Sequence, residues 1–343
     1  MAGITRETML KLSFILPCYN VEPYIADCLN SIYAQDLPED EFEVICVNDC
    51  STDGTREVIA GFVTRHSNLV LIDHSENLTA GGARNSGMKV ARGEYIWFVD
   101  PDDMIKPGCV DELIERMGKG DLDLLMFNFE DVDENLNPIK EELFLDDSEV
   151  MTGQEYVLSR FKGRFGLLGI VWRCIFRTQF ILENQLSYPL IRKSQDVVFI
   201  WKAILKARRL QSVKNIYYTF RVNPHSVTHI SRTAVVVFSE RVLFGKEIID
   251  IMKDKSYGLC PELVQELNKS VLWCANTNVG VIARLSKNEW SNYYLQMKRN
   301  NSALKLLRPF ENWKNRMVLR IGFGEWEWKL RARWIVSLSR MMK

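Results

Sequence analysis

Neither sign of charge prevails along this chain: 44 lysines and arginines are matched by 44 aspartates and glutamates in 343 residues. A general nucleic-acid binder usually shows a basic excess, so that class is disfavoured. The eight cysteines contain no Cys-x-x-Cys pair. Cys18, Cys28, Cys46, Cys109, Cys174 and Cys274 stand in or beside apolar runs and read as reduced, small hydrophobes. Histidine is scarce, with four in all. His225 and His229 have i, i+4 spacing but lack the further ligands that a zinc site needs. No apolar run approaches the roughly 20 residues of a membrane span. Leu12–Pro17 is too short for the apolar stretch of a signal peptide, and the cytosol is the expected compartment. Internal repeats and low-complexity segments are absent. So are the glycine-rich phosphate loops. Where a dinucleotide enzyme carries Gly-x-Gly-x-x-Gly, this chain reads Pro17-Cys18-Tyr19-Asn20, and no Gly-Lys-Ser/Thr follows a glycine-rich run.

What is present is an apolar chain, 47% hydrophobic, with strand and helix patterns in alternation. Lys11–Pro17, Phe42–Asn48, Leu69–Asp73, Tyr95–Val99 and Leu122–Phe129 read as strands. Between them, Tyr24–Gln35, the segment after Gly54, Thr79–Ala91 and Cys109–Met117 carry helical periodicity. This βαβ rhythm over Lys11–Phe129 predicts a parallel sheet. The first, second and fourth strands end in polar residues, which would gather along one edge, where open α/β sheets bind their ligands.

The fourth strand is the centre of the pattern. Its run Tyr95-Ile96-Trp97-Phe98-Val99 suits burial on both faces, and it ends in Asp100-Pro101-Asp102-Asp103. Three carboxylates so close repel one another, and a hard divalent cation turns that repulsion into binding. A solvated acidic turn is the plain alternative. With Asp49 and Arg84 on the same edge, the set suits a nucleotide diphosphate that carries a leaving group.

Four blocks carry a resemblance. They are Leu12-Ser13-Phe14-Ile15-Leu16-Pro17-Cys18-Tyr19-Asn20, then Val47-Asn48-Asp49-Cys50-Ser51-Thr52-Asp53-Gly54-Thr55, then Gly82-Ala83-Arg84-Asn85-Ser86-Gly87, then Asp100-Pro101-Asp102-Asp103. In this order and spacing they resemble the inverting family 2 glycosyltransferases of GT-A fold. Trp172–Phe176, Ser194–Phe199 and Tyr218–Thr228 are similar to that family's acceptor half. The resemblance covers roughly Leu12–Thr228.

It implies an open, mostly parallel α/β sheet flanked by helices, to which the helical pattern from Ala234 onward adds a helical C-terminal extension. Residues 1–10 would be a leader and a candidate for disorder. Residues 11–130 would bind the nucleotide sugar and 131–232 the acceptor, while 233–343 would be a helical region in contact with membrane or a second subunit. The donor side falls to Pro17, Tyr19, Asn20, Glu22, Asp49, Arg84 and Asp100. Asp49 would accept a hydrogen bond from the base, typically uracil, and Asp53 would cap a helix. Arg84 would meet the diphosphate or the metal-site carboxylates, with a purely structural pairing to Asp100 as the rival. Asp102, with Asp100, would hold Mn²⁺ or Mg²⁺; Asp103 would be outside the direct ligands or face the acceptor. Asp196 would be the catalytic base, and also fits an N-cap. With an ordinary pKa near 4 it would be a weak base, taking the proton late. Gln195, where the family usually has glutamate, and Trp172 belong to the acceptor side.

The implied activity is transfer of a sugar from a nucleotide diphosphate sugar, UDP first, to a hydroxyl of a glycan or lipid-linked acceptor in cell-surface polysaccharide synthesis. A catalytically silent sugar-nucleotide-binding scaffold, suggested by Gln195, is the alternative. A sugar-nucleotide-forming nucleotidyltransferase usually carries a glycine- and arginine-rich loop directly after strand one, which Pro17–Glu22 lacks. Finally, Trp326–Met342 projects as a helix with Trp326, Leu330, Trp334 and Ile335 on one side and Lys329, Arg333 and Arg340 on another. It is expected either on the inner face of a membrane or packed against protein.

Overall fold

A computed structural model of the chain describes residues 10–160, 170–189, 195–222 and 247–268. The chain divides into two compact units, Met1–Pro224 and His225–Lys343. In the first, β1 (Leu12–Cys18), α1 (Ile25–Tyr33), β2 (Phe42–Asn48), α2 (Thr55–Val63), β3 (Leu69–Asp73), α3 (Thr79–Val90) and β4 (Tyr95–Phe98) alternate as the sequence predicts. Then follow β5 (Met104–Ile105), α4 (Val110–Gly120), β6 (Leu124–Val132), β7 (Pro138–Glu142), α5 (Gly153–Arg160), β8 (Cys174–Arg177), α6 (Thr178–Glu183), α7 (Gln195–Lys206) and β9 (Leu210–Arg221). In the second unit, 247–253 and 261–268 are helical, in keeping with the pattern there.

The strands form one sheet of order β3-β2-β1-β4-β8-β6-β9-β5, with β7 paired to β6. From β3 to β4 every pairing is parallel. Then β8 enters antiparallel to both β4 and β6. The sheet is therefore mixed rather than uniformly parallel, because β4 and β6 are not neighbours. Strand β8 arrives from far along the chain and stands between them.

The core shows why this holds. All seven residues of β1 and of β2 are buried, and all four of β4. Phe14, Trp97 and Phe127 point to one face, where they meet Ile25 and Leu29 of α1, Phe62 of α2 and Leu113 of α4. The alternate residue Phe98 packs at 5.7 Å on Phe176 and 5.6 Å on Phe199 of α7. Two-sided burial of this kind, at about 1.5–3 kcal/mol per large side chain, fixes the register, since a one-residue slip would exchange the two faces. Helix α3 lies close to β1, because a Cβ at Gly87 would meet Ile15 Cγ2 at 2.4 Å. That approach brings Arg84 to the sheet's rim.

Among the described residues no helix is long and apolar enough to cross a membrane. The leader up to Met9, His225, His229, the block Ser226–Thr228, Cys274 and the tail Trp326–Met342 lie outside the described residues.

Candidate active site

Three carboxyl ends of the parallel strands make the rim. Asp49 follows β2, and its amide donates to Cys18 O at 2.8 Å, which extends the β1–β2 ladder by one rung. Asp100–Asp103 follow β4, and His74 follows β3.

Arg84 ties the rim to α7. Its guanidinium donates from Nη1 to Asp196 Oδ1 at 2.6 Å and from Nη2 to Asp100 Oδ1 at 2.6 Å. Its side chain is 3% exposed, whereas Asp100 and Asp196 keep 26% and 32% of theirs. One buried cation thus holds two partly open carboxylates. Tyr188 lies beside it, with the guanidinium carbon 5.4 Å from the ring centre. Burial raises the Asp196 carboxyl to about 6, with Arg84 opposing and Asp100 adding to the rise. Asp196 is consequently a better base near neutrality than the ordinary aspartate expected from sequence.

Asp102 and Asp103, adjacent in sequence, behave differently. Asp103 is 1% exposed. It accepts from Tyr218 Oη at 2.8 Å and from the amide of Arg221 at 2.8 Å, so it fastens the rim to β9. Burial first, then Asp102 and Asp100, push its carboxyl well above the usual range. Asp102 is partly open, and no side chain among the described residues donates to its carboxylate. Burial and the charge of Asp100 raise it to about 6.

At the other end of the rim, Asp49 is 2% exposed. Oδ1 accepts from the amide of Leu78 at 2.8 Å and lies 2.7 Å from His74 Nδ1. Oδ2 is buried and has no hydrogen-bond partner among the described residues.

The chain carries a glycosyl transferase family 2 domain. Residues 13–182 match the family described as Glycosyl transferase family 2. An uncharacterised glycosyltransferase of Bacillus subtilis, EpsJ, is 32% identical over 224 residues, covering 64% of this chain and 63% of EpsJ. The poly(ribitol-phosphate) beta-N-acetylglucosaminyltransferase TarS of Staphylococcus aureus is 31% identical over 217 residues, covering 61% of this chain and 35% of TarS. The crystal structure of S. aureus TarS 1-349 in complex with UDP superposes with a TM-score of 0.64 at 26% identity, covering 83% of this chain and 78% of that one. The chain thus spans less than two thirds of the length of both curated relatives.

Within this glycosyltransferase domain, the other expected donor residues sit at the β1 and β2 ends. Pro17 is buried in β1, while Tyr19, Asn20 and Glu22 are exposed. Asn20 has a left-handed φ of 52°, and its Oδ1 accepts from the amide of Thr52 at 2.8 Å. Glu22 accepts from the amide of Gly54 at 2.8 Å, beside the start of α2. Asp53 accepts from the Thr55 amide at 3.1 Å and the Thr55 hydroxyl at 2.6 Å, one residue ahead of Gly54, which holds the N-cap position of α2 in place of the expected Asp53.

Two residues expected on the acceptor side are committed elsewhere. Gln195 turns to the first turn of α3: Oε1 accepts from the amide of Gly81 at 2.8 Å and from Thr79 Oγ1 at 3.3 Å. Helix N-termini have spare amides to satisfy, and an amide carbonyl does this as a carboxylate would. A side chain at Gly81 would push Gln195 Oε1 out of this bond, because its Cβ would overlap that oxygen. Trp172 is 7% exposed and stacks on Tyr218 at 4.3 Å and on Phe220 at 5.7 Å. It supports the Tyr218–Asp103 bond from behind. The sequence does not point to His74 or Tyr188, and it places Ser86 and Tyr218 in the resembling blocks without a role. The signal for His74 was available, since it directly follows a parallel strand, as Asp49 does.

The oxygen set of Asp100 and Asp102 fits a hard cation. The raised carboxyl of Asp102 marks a charge that the protein leaves poorly compensated, which a divalent ion would relieve. Among the described residues no group of three metal-type ligands occurs, so such an ion would draw its remaining ligands from diphosphate and water.

Proposed function

We propose that the protein transfers a sugar from a UDP-sugar to a hydroxyl of a cell-surface glycan or glycolipid, with inversion at the anomeric carbon. The observation that carries this reading is the Arg84 clamp. It sets Asp196 and Asp100, 96 positions apart in sequence, on a single guanidinium.

In this mechanism the acceptor hydroxyl attacks the anomeric carbon from the side opposite the diphosphate. The new C–O bond forms as the bond to the phosphate oxygen breaks, and the hydroxyl proton passes to Asp196. Oδ1 of Asp196 is held by Arg84, so the second oxygen takes the proton. Asp100 and Asp102 would hold Mn²⁺ or Mg²⁺, which supplies charge stabilisation for the departing diphosphate. Asp49 accepts from the base. Gln195 supports catalysis here, because its bond to the α3 amide needs no negative charge. The relatives' names and the UDP complex of TarS support the donor and the cell-surface acceptor. For a lipid-linked acceptor, the basic and apolar tail at residues 326–342 would rest on the inner membrane face.

The test is a transfer assay with a panel of UDP-sugars and Mn²⁺. Product of inverted configuration from wild type, and none from Asp196→Asn with UDP binding intact, is the expected result. Undiminished turnover by Asp196→Asn removes that residue from the mechanism. Liposome flotation with and without residues 326–342 tests the membrane contact, and equal partitioning defeats it.

A further inference from the structure

The base end of the rim contains a chain of three side chains, Ser86, His74 and Asp49, of which the transfer mechanism uses only Asp49. His74 Nε2 lies 2.9 Å from Ser86 Oγ in α3, and His74 Nδ1 lies 2.7 Å from Asp49 Oδ1 at the end of β2. The backbone holds the ring's residue as well, through a His74 amide bond to Asn48 O at 2.9 Å. Asp49 Oδ1 already accepts from the Leu78 amide, so it acts as an acceptor and His74 Nδ1 is the donor. With Nδ1 carrying the hydrogen in a neutral ring, Nε2 accepts from the Ser86 hydroxyl. Asn77 Nδ2 donates to the Asp49 carbonyl at 3.1 Å, which steadies the same turn.

The consequence is an asymmetric carboxylate. Oδ1 is committed twice. Among the described residues, the buried Oδ2 has no partner. A buried acceptor without a donor is costly, so this oxygen is built to receive one. Resting on the nucleotide-sugar reading, we propose that His74 is a specificity-determining positioning residue: by occupying Oδ1 it makes Asp49 a single-oxygen acceptor that selects uracil over guanine.

The chemistry of the two edges explains the choice. Uracil presents one ring N–H flanked by two carbonyls, which asks for a single acceptor. Guanine presents a ring N–H and an adjacent amino group, two parallel donors that match both oxygens of a free carboxylate. With Oδ1 taken, guanine's second donor is left unpaired on burial, which penalises it. Cytosine has a lone pair where uracil has its N–H, and that lone pair opposes Oδ2 directly.

Calorimetric titration with UDP and GDP, each with Mn²⁺, tests this in wild type, His74→Ala, His74→Asn and Ser86→Ala. His74→Ala is expected to lose about ten-fold in UDP affinity and to lose much of the UDP-over-GDP preference, since Oδ1 becomes free. His74→Asn keeps a donating N–H and is expected to stay near wild type in that preference. Ser86→Ala leaves the imidazole in place and is expected to shift the preference in the same direction by a smaller factor. A preference unchanged in both His74→Ala and Ser86→Ala overturns the assignment, as does one lost equally in His74→Asn and His74→Ala. If His74→Ala fails to fold, His74→Asn and Ser86→Ala decide by the same ratio. A wild type that binds no UDP at all defeats the donor reading itself, a separate failure.

Discussion

The two ends of the rim handle negative charge in opposite ways. At the base end, Asp49 is buried, but Leu78 and His74 donate to one oxygen. At the cation end, Asp102 sits beside Asp100 with its carboxyl pushed up to about 6 and no side chain donating to it among the described residues. The first end is finished by the protein, apart from one oxygen. The second is left incomplete. A finished site recognises a neutral, directional group, whereas an incomplete anionic one is poised for a cation. Charge strain of this kind sits at functional sites and lowers the stability of the free protein.

The contrast can be broken most severely at Asp196. Asp196→Asn is expected to lower kcat by about 10²–10⁴ while UDP affinity, read by calorimetry, stays within about three-fold. A parallel loss of binding would show that the residue mainly holds the rim together. Arg84→Met comes next. It strips two partly open carboxylates of their shared partner, and a loss of about 1–3 kcal/mol in urea unfolding is expected. Because Arg84 holds the Asp196 carboxyl down, the acid limb of any residual activity should also move to higher pH.

Asp102 and Asp103 sharpen the comparison, since they are neighbours with opposite duties. Asp103→Ala removes the acceptor for Tyr218 and the Arg221 amide and should destabilise the fold by about 1–3 kcal/mol. Asp102→Asn should leave the free protein as stable or up to about 1 kcal/mol more so, while removing the response to Mn²⁺. Equal melting losses for the two would erase the distinction. The smallest effect is in pH. In the proposed mechanism transfer requires Asp196 deprotonated, and burial places that transition at about 6. The rate should therefore be level above pH 6 to 7 and fall as pH drops through 6, about ten-fold per unit. A limb near 4 would mean that Asp196 is more open to water than it is here.

Much of this was legible in the chain. Strands β1 to β4 announce themselves as buried runs, and the helices between them by their apolar stripes, because each element is decided within its own segment. What escaped was decided across the sheet. Strand β5 is two residues long, and β8 takes its place only because β4 and β6 offer it two edges. Strand β9 runs for twelve residues, Leu210–Arg221, because pairing with β6 prolongs it. At the site, the sequence named Asp49, Arg84, Asp100, Asp102 and Asp196. The duties of Gln195 and Trp172 could not be read from it, because their partners lie 114 and 46 positions away along the chain. His74 was within reach, had the rule about strand ends been applied to β3 as it was to its neighbours.

One titration probes the account at its centre. UDP is bound to wild type and to Asp102→Asn, each with Mn²⁺ and with chelator. The account predicts that Mn²⁺ strengthens UDP binding to wild type by about ten-fold or more and leaves the variant indifferent. The same affinity in all four titrations would contradict it, since the acidic rim would then hold nothing that the nucleotide needs.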